Sequence, residues 1–304
     1  MKKKYSIWKQ YKKCKYLFLM FIPVILYFVI FCYVPMYGVI ISFQDYYPRL
    51  GITGSEWVGF KHFEKLFTGR YFFPVLRNTL IISVSKLLFG FPAPIILCLL
   101  LNEVRSLKFK KVVQTISYLP HFISWVVLAS IVQTILSPSS GVVNYIIQLL
   151  GGDPIFFMGR SDWFRKVIVG SSIWRDTGWQ TVVFMAAILS IDPQLYEAAD
   201  LDGAGRFQKM IYVTLPCIAP TIIIMFIMAT GNVIQDDFDQ IYNMLNAKVM
   251  DVGDVIGTYT YRMGIEKMNF SYATAVGLFK NVVSLILVTF TNAFSRKLSG
   301  SSLW

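Results

Sequence analysis

Apolar residues run along this chain in long blocks separated by shorter polar stretches. The first block, residues 17–43, reads LFLMFIPVILYFVIFCYVPMYGVIISF, twenty-seven residues without a charge. At about 1.5 Å of rise per residue, a helix of that length crosses a ~30 Å hydrocarbon layer with room for tilt. It far exceeds the ~7–15-residue core of a signal peptide and lacks a small-x-small cleavage site, so it is read as a retained span. Comparable blocks occupy 79–101, 112–136, 167–191, 215–235 and 270–294, the last interrupted by Lys280. The pattern predicts an all-α polytopic membrane protein, a single domain over residues 1–304 with six transmembrane helices.

Composition agrees. Hydrophobic residues make up 55% of the chain and charged residues 15%, and the mean hydropathy is +0.55, too apolar for a water-soluble protein of this length. The formal charge of +12 then belongs to loops that hold orientation, and no nucleic-acid partner is needed to explain it. Fifteen Lys and Arg fall on the amino-terminal side of the spans and eleven on the other, with the bias strongest at Lys2, Lys3, Lys4, Lys9, Lys12, Lys13 and Lys15 and again at Arg105, Lys108, Lys110 and Lys111. Both termini are therefore placed in the cytoplasm. Cys14, Cys32, Cys98 and Cys217 supply no disulfide framework, and His62 and His121 are too few and too distant to suggest a metal centre.

The outer connections carry structure of their own. Residues 44–78 are aromatic-rich, with Trp57-Val58-Gly59-Phe60 ahead of a short amphipathic helix over 61–67, as at a membrane interface. Residues 142–150 are apolar but too short to span, and 236–269, the least hydrophobic stretch, can fold as a small loop domain. On the opposite side, Ile191 to Thr221 reads IDPQLYEAADLDGAGRFQKMIYVTLPCIAPT. Asp192 is placed to cap a helix that Pro193 begins, Gly203-Ala204-Gly205 is a natural bend, and Phe207, Met210, Ile211 and Val213 resume an apolar face. Two short helices with a turn between them are predicted over 192–214. Glu197, Asp200 and Asp202, on the side where basic residues are favoured, suggest that another protein covers this surface.

Glu197-Ala198-Ala199, then Asp200-Leu201-Asp202 and Gly203, nine residues, and Val213-Thr214-Leu215-Pro216 resembles the EAA signature of the integral-membrane permeases of binding-protein-dependent ABC importers. Val213 stands where the usual pattern has isoleucine. Tyr196 with Asp202-Gly203-Ala204 is similar to the carbohydrate-importing branch, and the ending Ser295-Arg296-Lys297-Leu298 through Ser302-Leu303-Trp304 to the subgroup for complex and uronate-containing oligosaccharides. The resemblance implies a type I importer permease in the prokaryotic plasma membrane. It further implies a second, different permease as heterodimer partner, two ATPase subunits, an extracytoplasmic solute-binding protein and an oligosaccharide substrate. Glu197, Ala198, Ala199, Asp200, Asp202, Gly203, Arg206 and Pro216 match its ATPase-coupling segment. ATP and Mg belong to the partner ATPases and this chain binds no cofactor; it has no Gly-x-x-x-x-Gly-Lys-Ser/Thr loop, and Asp202-Gly203-Ala204-Gly205 does not follow a strand as a nucleotide loop would.

Charges inside apolar blocks are expensive towards lipid, so Lys86, Arg175, Asp176 and Lys280 must face protein, water or the interface. They are read as an intramembrane ion network in which Asp176 meets Lys86 or Lys280. Aromatic faces and amides suit sugar rings and their hydroxyls, which makes Tyr118, His121, Trp125, Trp174, Arg175, Trp179, Asn232 and Gln235 the candidate substrate pathway. On one continuous helix Tyr118, His121 and Trp125 would share a face, although Pro120 can kink that span, as Pro92 and Pro94 can kink the second. Two other functions compete with a permease. A membrane enzyme on a saccharide or lipid-linked substrate would draw on Asp176 and His121 but lacks a second carboxylate at persuasive spacing. A membrane scaffold leaves the intramembrane charges without a purpose.

Overall fold

The computed structural model describes residues 14–299, 302 and 303; the amino-terminal lysines from Lys2 to Lys13 and the terminal Trp304 lie outside the described residues. Four helical stretches are long and apolar enough to cross a membrane: α1 (Lys15–Phe43), Phe72–Glu103, Arg206–Gly231 and Phe270–Lys297. Two bent pairs, Leu107–Phe122 with Trp125–Ile135 and Ser161–Leu189 with Pro193–Leu201, bring the number to six if each is one span.

Two compact units divide the chain. The smaller comprises residues 14–66 and 263–278. Its α1 buries nothing over Lys15–Phe28, so this apolar surface is left for lipid or another protein. After α1 come the two-residue strands β1 (Gln44–Asp45) and β2 (Glu56–Trp57), which pair antiparallel with Gln44 opposite Trp57. Helix α2 (Lys61–Thr68) begins in this unit, and its Lys61 and His62 both reach the Asp45 carboxylate, at 2.5 and 3.0 Å. The Lys61 hydrogen bond is the main reason that the Asp45 carboxyl sits below its ordinary range. Phe43 stacks on Trp57 at 5.7 Å, and the Tyr46 N–H donates to Ser271 Oγ, which ties the hairpin to the start of the last helix.

The larger unit, residues 67–262 and 279–303, is built around one long helix. Its elements are α3 (Phe72–Gly90), α4 (Pro92–Glu103), α5 (Leu107–Tyr118), α6 (Trp125–Ile135), α7 (Val142–Leu149), α8 (Ser161–Leu189), α9 (Pro193–Leu201), α10 (Arg206–Gly231), α11 (Phe238–Met244), α12 (Ile256–Tyr261) and most of α13 (Phe270–Ser299). Towards its start α8 packs Phe164 and Ile168 against Ile82, Leu128, Ile241, Met244 and Val255. Towards its end it packs Phe184, Met185 and Ile188 against Cys98, Leu101 and Ile218. Close approach of α5 requires Gly178, where a side chain would collide with the Ser117 carbonyl.

The stretch 112–136 is not one straight helix. α5 gives way to a tight turn over Leu119–Phe122, and α6 restarts at 108° to it with Ser124 as N-cap, its Oγ accepting from the Val127 N–H. Pro120 contributes no N–H to a helix continuing through it, and the Ser124 cap makes the restart cheaper than continuation. At Phe91 the helical pattern is interrupted just before Pro92 and Pro94, yet Phe72–Glu103 still runs as one apolar stretch. The polar stretch after α10 folds: Asn78 on α3 donates to the carbonyls of Asp251 and Asp254, and Arg165 on α8 donates to Asn78 Oδ1 and to the Val252 carbonyl. Buried backbone groups in a loop need such partners, and here intramembrane helices supply them.

Candidate functional site

Two surfaces combine chemistry with accessibility. The first is the segment between α8 and α10. Asp192 caps α9 by accepting from the Gln194 N–H at 3.0 Å, and Pro193 occupies the first turn. α9 ends at a glycine of positive φ, Gly203 (+75°), a conformation that L side chains rarely adopt. The chain re-enters α10 through Gly205, whose N–H donates to Gln208 Oε1. Tyr196 Oη meets Thr214 Oγ1 at 2.9 Å, and Lys209 pairs with Asp200 at 2.7 Å, so α9 is held across the start of α10. Within α10 the helix widens to a π turn over Met210–Thr214, just before Pro216. Glu197, Ala198, Asp200, Asp202, Gly203, Arg206 and Pro216 are exposed, and Ala199 is half-buried. Leu195, Leu201 and Phe207 stand out among them, Leu201 at 90% exposure. A carboxylate-flanked apolar projection of this kind suits a protein partner better than a lipid surface.

The second is a cavity of about 240 Å³ among α3, α8, α10 and α11. Its walls carry Lys86, Asp176, Gln180, Asn232, Gln235, Asp236 and Asp237, together with Ser83, Ser172, Thr177 and the ring of Phe91. Hydroxyl and amide groups beside an aromatic residue match the needs of a sugar ring. α10 stops at Gly231, and residues 232–237 form an irregular turn that carries Asn232, Gln235, Asp236 and Asp237 into the wall. Gly231 fits because a Cβ there would collide with Val288 on α13.

Ion pairing inside this unit differs from the expected network. Asp176 meets neither lysine. Lys280 pairs with Asp236 at 2.7 Å, and Lys86 with Asp237 at 2.5 Å and with Gln240 Oε1 at 2.5 Å. The two consecutive aspartates on the turn after α10 meet α13 and α3, while Asp176 on α8 is engaged by His121 and Arg175. Asp236 also accepts the Gly257 N–H, and only glycine leaves room there, since a Cβ would meet the carboxylate at 2.8 Å. Asp176 Oδ1 lies 3.1 Å from His121 Nδ1 and 3.4 Å from Arg175 Nη1, so the sequence neighbours do touch.

Arg175 lies over the Trp125 ring at 4.7 Å, and His121 stacks on Trp179 at 5.0 Å with 3° between planes. These aromatics form a packed layer beside the cavity instead of lining it. Tyr118, His121 and Trp125 do not share a helix face, because the helix breaks between the first and the last of them. Trp125 is buried and Trp174 and Trp179 are about half-exposed. Of the expected pathway residues, Asn232 and Gln235 line the cavity, and so do Lys86 and Asp176 of the expected ion network. Gln180, Asp237 and Gln240 were missed. Two intramembrane lysines next to an Asp236-Asp237 pair at the end of a span were the signal that would have found the last two. Among the described residues no group of three or more His, Cys, Asp or Glu could hold a metal ion.

Comparison with known proteins gives the family and the fold. Residues 90–300 match the family described as binding-protein-dependent transport system inner membrane component. The polygalacturonan/rhamnogalacturonan transport system permease protein YteP of Bacillus subtilis (strain 168) is 47% identical over 290 residues, 95% of this chain and 90% of that protein. Protein LplB of the same organism is 47% identical over 96% of this chain and 92% of its own. A chain in the crystal structure of a bacterial alginate ABC transporter, in complex with an alginate pentasaccharide-bound periplasmic protein, superposes with a TM-score of 0.89 at 41% identity, covering 98% of this chain and 99% of that one.

Proposed function

The chain belongs to the family of binding-protein-dependent transport system inner membrane components, and from that membership we propose that it forms half of the pathway by which a uronate-containing oligosaccharide enters a prokaryotic cell. As a permease subunit of an ABC importer it is a multi-pass inner-membrane protein without cofactor or ATPase site of its own. It works with a paired permease, ATPase subunits and a solute-binding protein. Membership in the family sets aside the membrane-enzyme and scaffold readings.

The observation that carries the substrate class is the company the chain keeps: one relative is named for polygalacturonan and rhamnogalacturonan transport, and the similar solved structures are of an importer of the acidic polysaccharide alginate. The hydroxyl- and amide-lined cavity supports it, with Asn232, Gln235, Gln180 and Phe91 on the sugar side of the pathway. The group formed by His121, Trp125, Arg175 and Trp179 then acts behind the wall, where His121 and Arg175 hold Asp176 in place. On the cytoplasmic side, Glu197 through Gly203, with Arg206 and Pro216, form the coupling element. The exposed Leu201 and its flanking carboxylates enter an ATPase cleft, and closure of the ATPases is transmitted through the Tyr196–Thr214 and Asp200–Lys209 contacts to α10. The heterodimeric pairing and the cytoplasmic placement of both termini belong to the same reading.

Reconstitution of the complete importer in proteoliposomes tests the assignment. ATPase activity and uptake rise with an oligogalacturonate loaded on the solute-binding protein, and rise less with the carboxyl-reduced, neutral oligomer. Equal stimulation by both would overturn the substrate class.

A further inference from the structure

We propose that Lys86 is the carboxylate-binding residue of the pathway, that Asp237 occupies its site when no sugar is present, and that a uronate carboxylate takes the place of Asp237 during passage. The inference rests on the acidic-oligosaccharide reading and names the group that would serve it.

The two lysine–aspartate pairs of the cavity are built differently. Asp236 is 2% exposed, accepts both Lys280 and the Gly257 N–H, and is closed in by the backbone. That pair is a fixed strut. Asp237 is 47% exposed and grips Lys86 through a single oxygen, Oδ2. The Lys86 side chain, by contrast, is 16% exposed, so the cation is held inside while its counter-ion stands in the open.

What keeps the cation in position is Gln240. Its side chain is fully buried, and its Nε2 donates to the Ile168 carbonyl at 2.7 Å and to Ser171 Oγ at 2.9 Å. The amide is thereby oriented with Oε1 towards Lys86, whatever Asp237 does. An ammonium has three donors, and here two are engaged, by Gln240 and by Asp237. Departure of Asp237 leaves a positioned cation facing a cavity that also offers Gln180 and Asn232 for hydroxyl groups. The Asp237 backbone is anchored as the N-cap of α11, its carbonyl accepting the Ile241 N–H at 3.1 Å, but its carboxylate makes no capping bond, so rotation of the exposed side chain alone takes it off Lys86. A carboxylate substrate replaces like with like, so the lysine never stands without an anion in a low-dielectric site; a neutral sugar cannot make that exchange. At 240 Å³ this half of the pathway has room for about one sugar unit, below the ~300–1,000 Å³ of ordinary small-molecule pockets.

The test uses the complete reconstituted importer, with an oligogalacturonate and its carboxyl-reduced neutral counterpart as probes, and thermal stability read on the same preparations. Lys86→Gln is expected to lower kcat/KM for the acidic oligomer by roughly 10–100-fold, as for loss of one charge-assisted hydrogen bond, and to leave the neutral oligomer within about threefold. Lys86→Arg restores most of the acidic uptake. Asp237→Asn, which weakens the competitor, lowers KM for the acidic oligomer and not for the neutral one. Equal losses for both oligomers in Lys86→Gln, with parallel loss of thermal stability, would mean a purely structural lysine and overturn the proposal. Retained preference for the acidic oligomer in a stable Lys86→Gln importer overturns it as well, with the wild-type preference still standing. Absence of any acidic preference in the wild type instead removes the substrate reading beneath it.

Discussion

Asp236→Asn is the substitution whose effect the structure defines most closely. It keeps the shape of the side chain and one acceptor oxygen for the Gly257 N–H, but removes the charge that neutralises Lys280 at 2.7 Å. The carboxylate is 2% exposed and the lysine 18%, so water reaches the orphaned cation only in part. Breaking one side of a buried ion pair costs ~3–5 kcal/mol, and partial hydration of Lys280 places this case near ~3 kcal/mol. At ~2–4 °C per kcal/mol for a domain of a few hundred residues, the melting temperature falls by roughly 6–12 °C. The assay is thermal unfolding of the purified importer in nanodiscs at one fixed scan rate, because membrane complexes unfold irreversibly and only matched scans compare. Asp236→Asn combined with Lys280→Met removes both the anion and the stranded cation, and recovers most of the loss. A single variant within ~2 °C of wild type, or a double variant losing as much as the two singles summed, would refute the strut between α13 and the turn after α10.

Three further outcomes are expected. Glu197→Lys reverses a charge on the exposed face of α9, and pull-down of the ATPase subunits together with uptake should both fall while the binding protein still docks; normal retention and uptake would move the coupling element elsewhere. With the amino terminus inside, a membrane-impermeant thiol reagent on intact protoplasts should label a cysteine introduced by Thr53→Cys and spare Cys14, and the reverse pattern would invert the topology. Because Lys61 above all holds the Asp45 carboxyl below its ordinary value, the pairing stabilises the hairpin at pH above ~4 and is lost as pH falls through that lowered value. Lys61→Met should therefore move the acid-induced change in tryptophan fluorescence near Trp57 to higher pH, and an unmoved transition would show that the pairing contributes nothing.

The apolar helices and the short helix Pro193–Leu201 were legible because their signals are local. An uncharged run of residues 17–43 must become a helix in lipid whatever its neighbours do, since no other conformation satisfies the backbone there. Asp192, Pro193 and Gly203 act through hydrogen bonds and φ angles within a few residues of themselves, and α9 begins and ends where they stand. The partners of the intramembrane charges were not legible. Sequence distance carries no information on whether Lys86 meets Asp176, ninety residues on, or Asp237, and the choice fell to the irregular turn after Gly231, which turns both aspartates towards α3 and α13. The same holds for Tyr118, His121 and Trp125: helical spacing put them on one face, but the cap at Ser124 competed successfully with continuation through Pro120. Composition and periodicity determine which segments enter the membrane, because the solvent enforces that choice on each segment separately. Which polar groups line the cavity and which brace its wall is decided by packing around α8, where every buried charge has to find a partner on a different element.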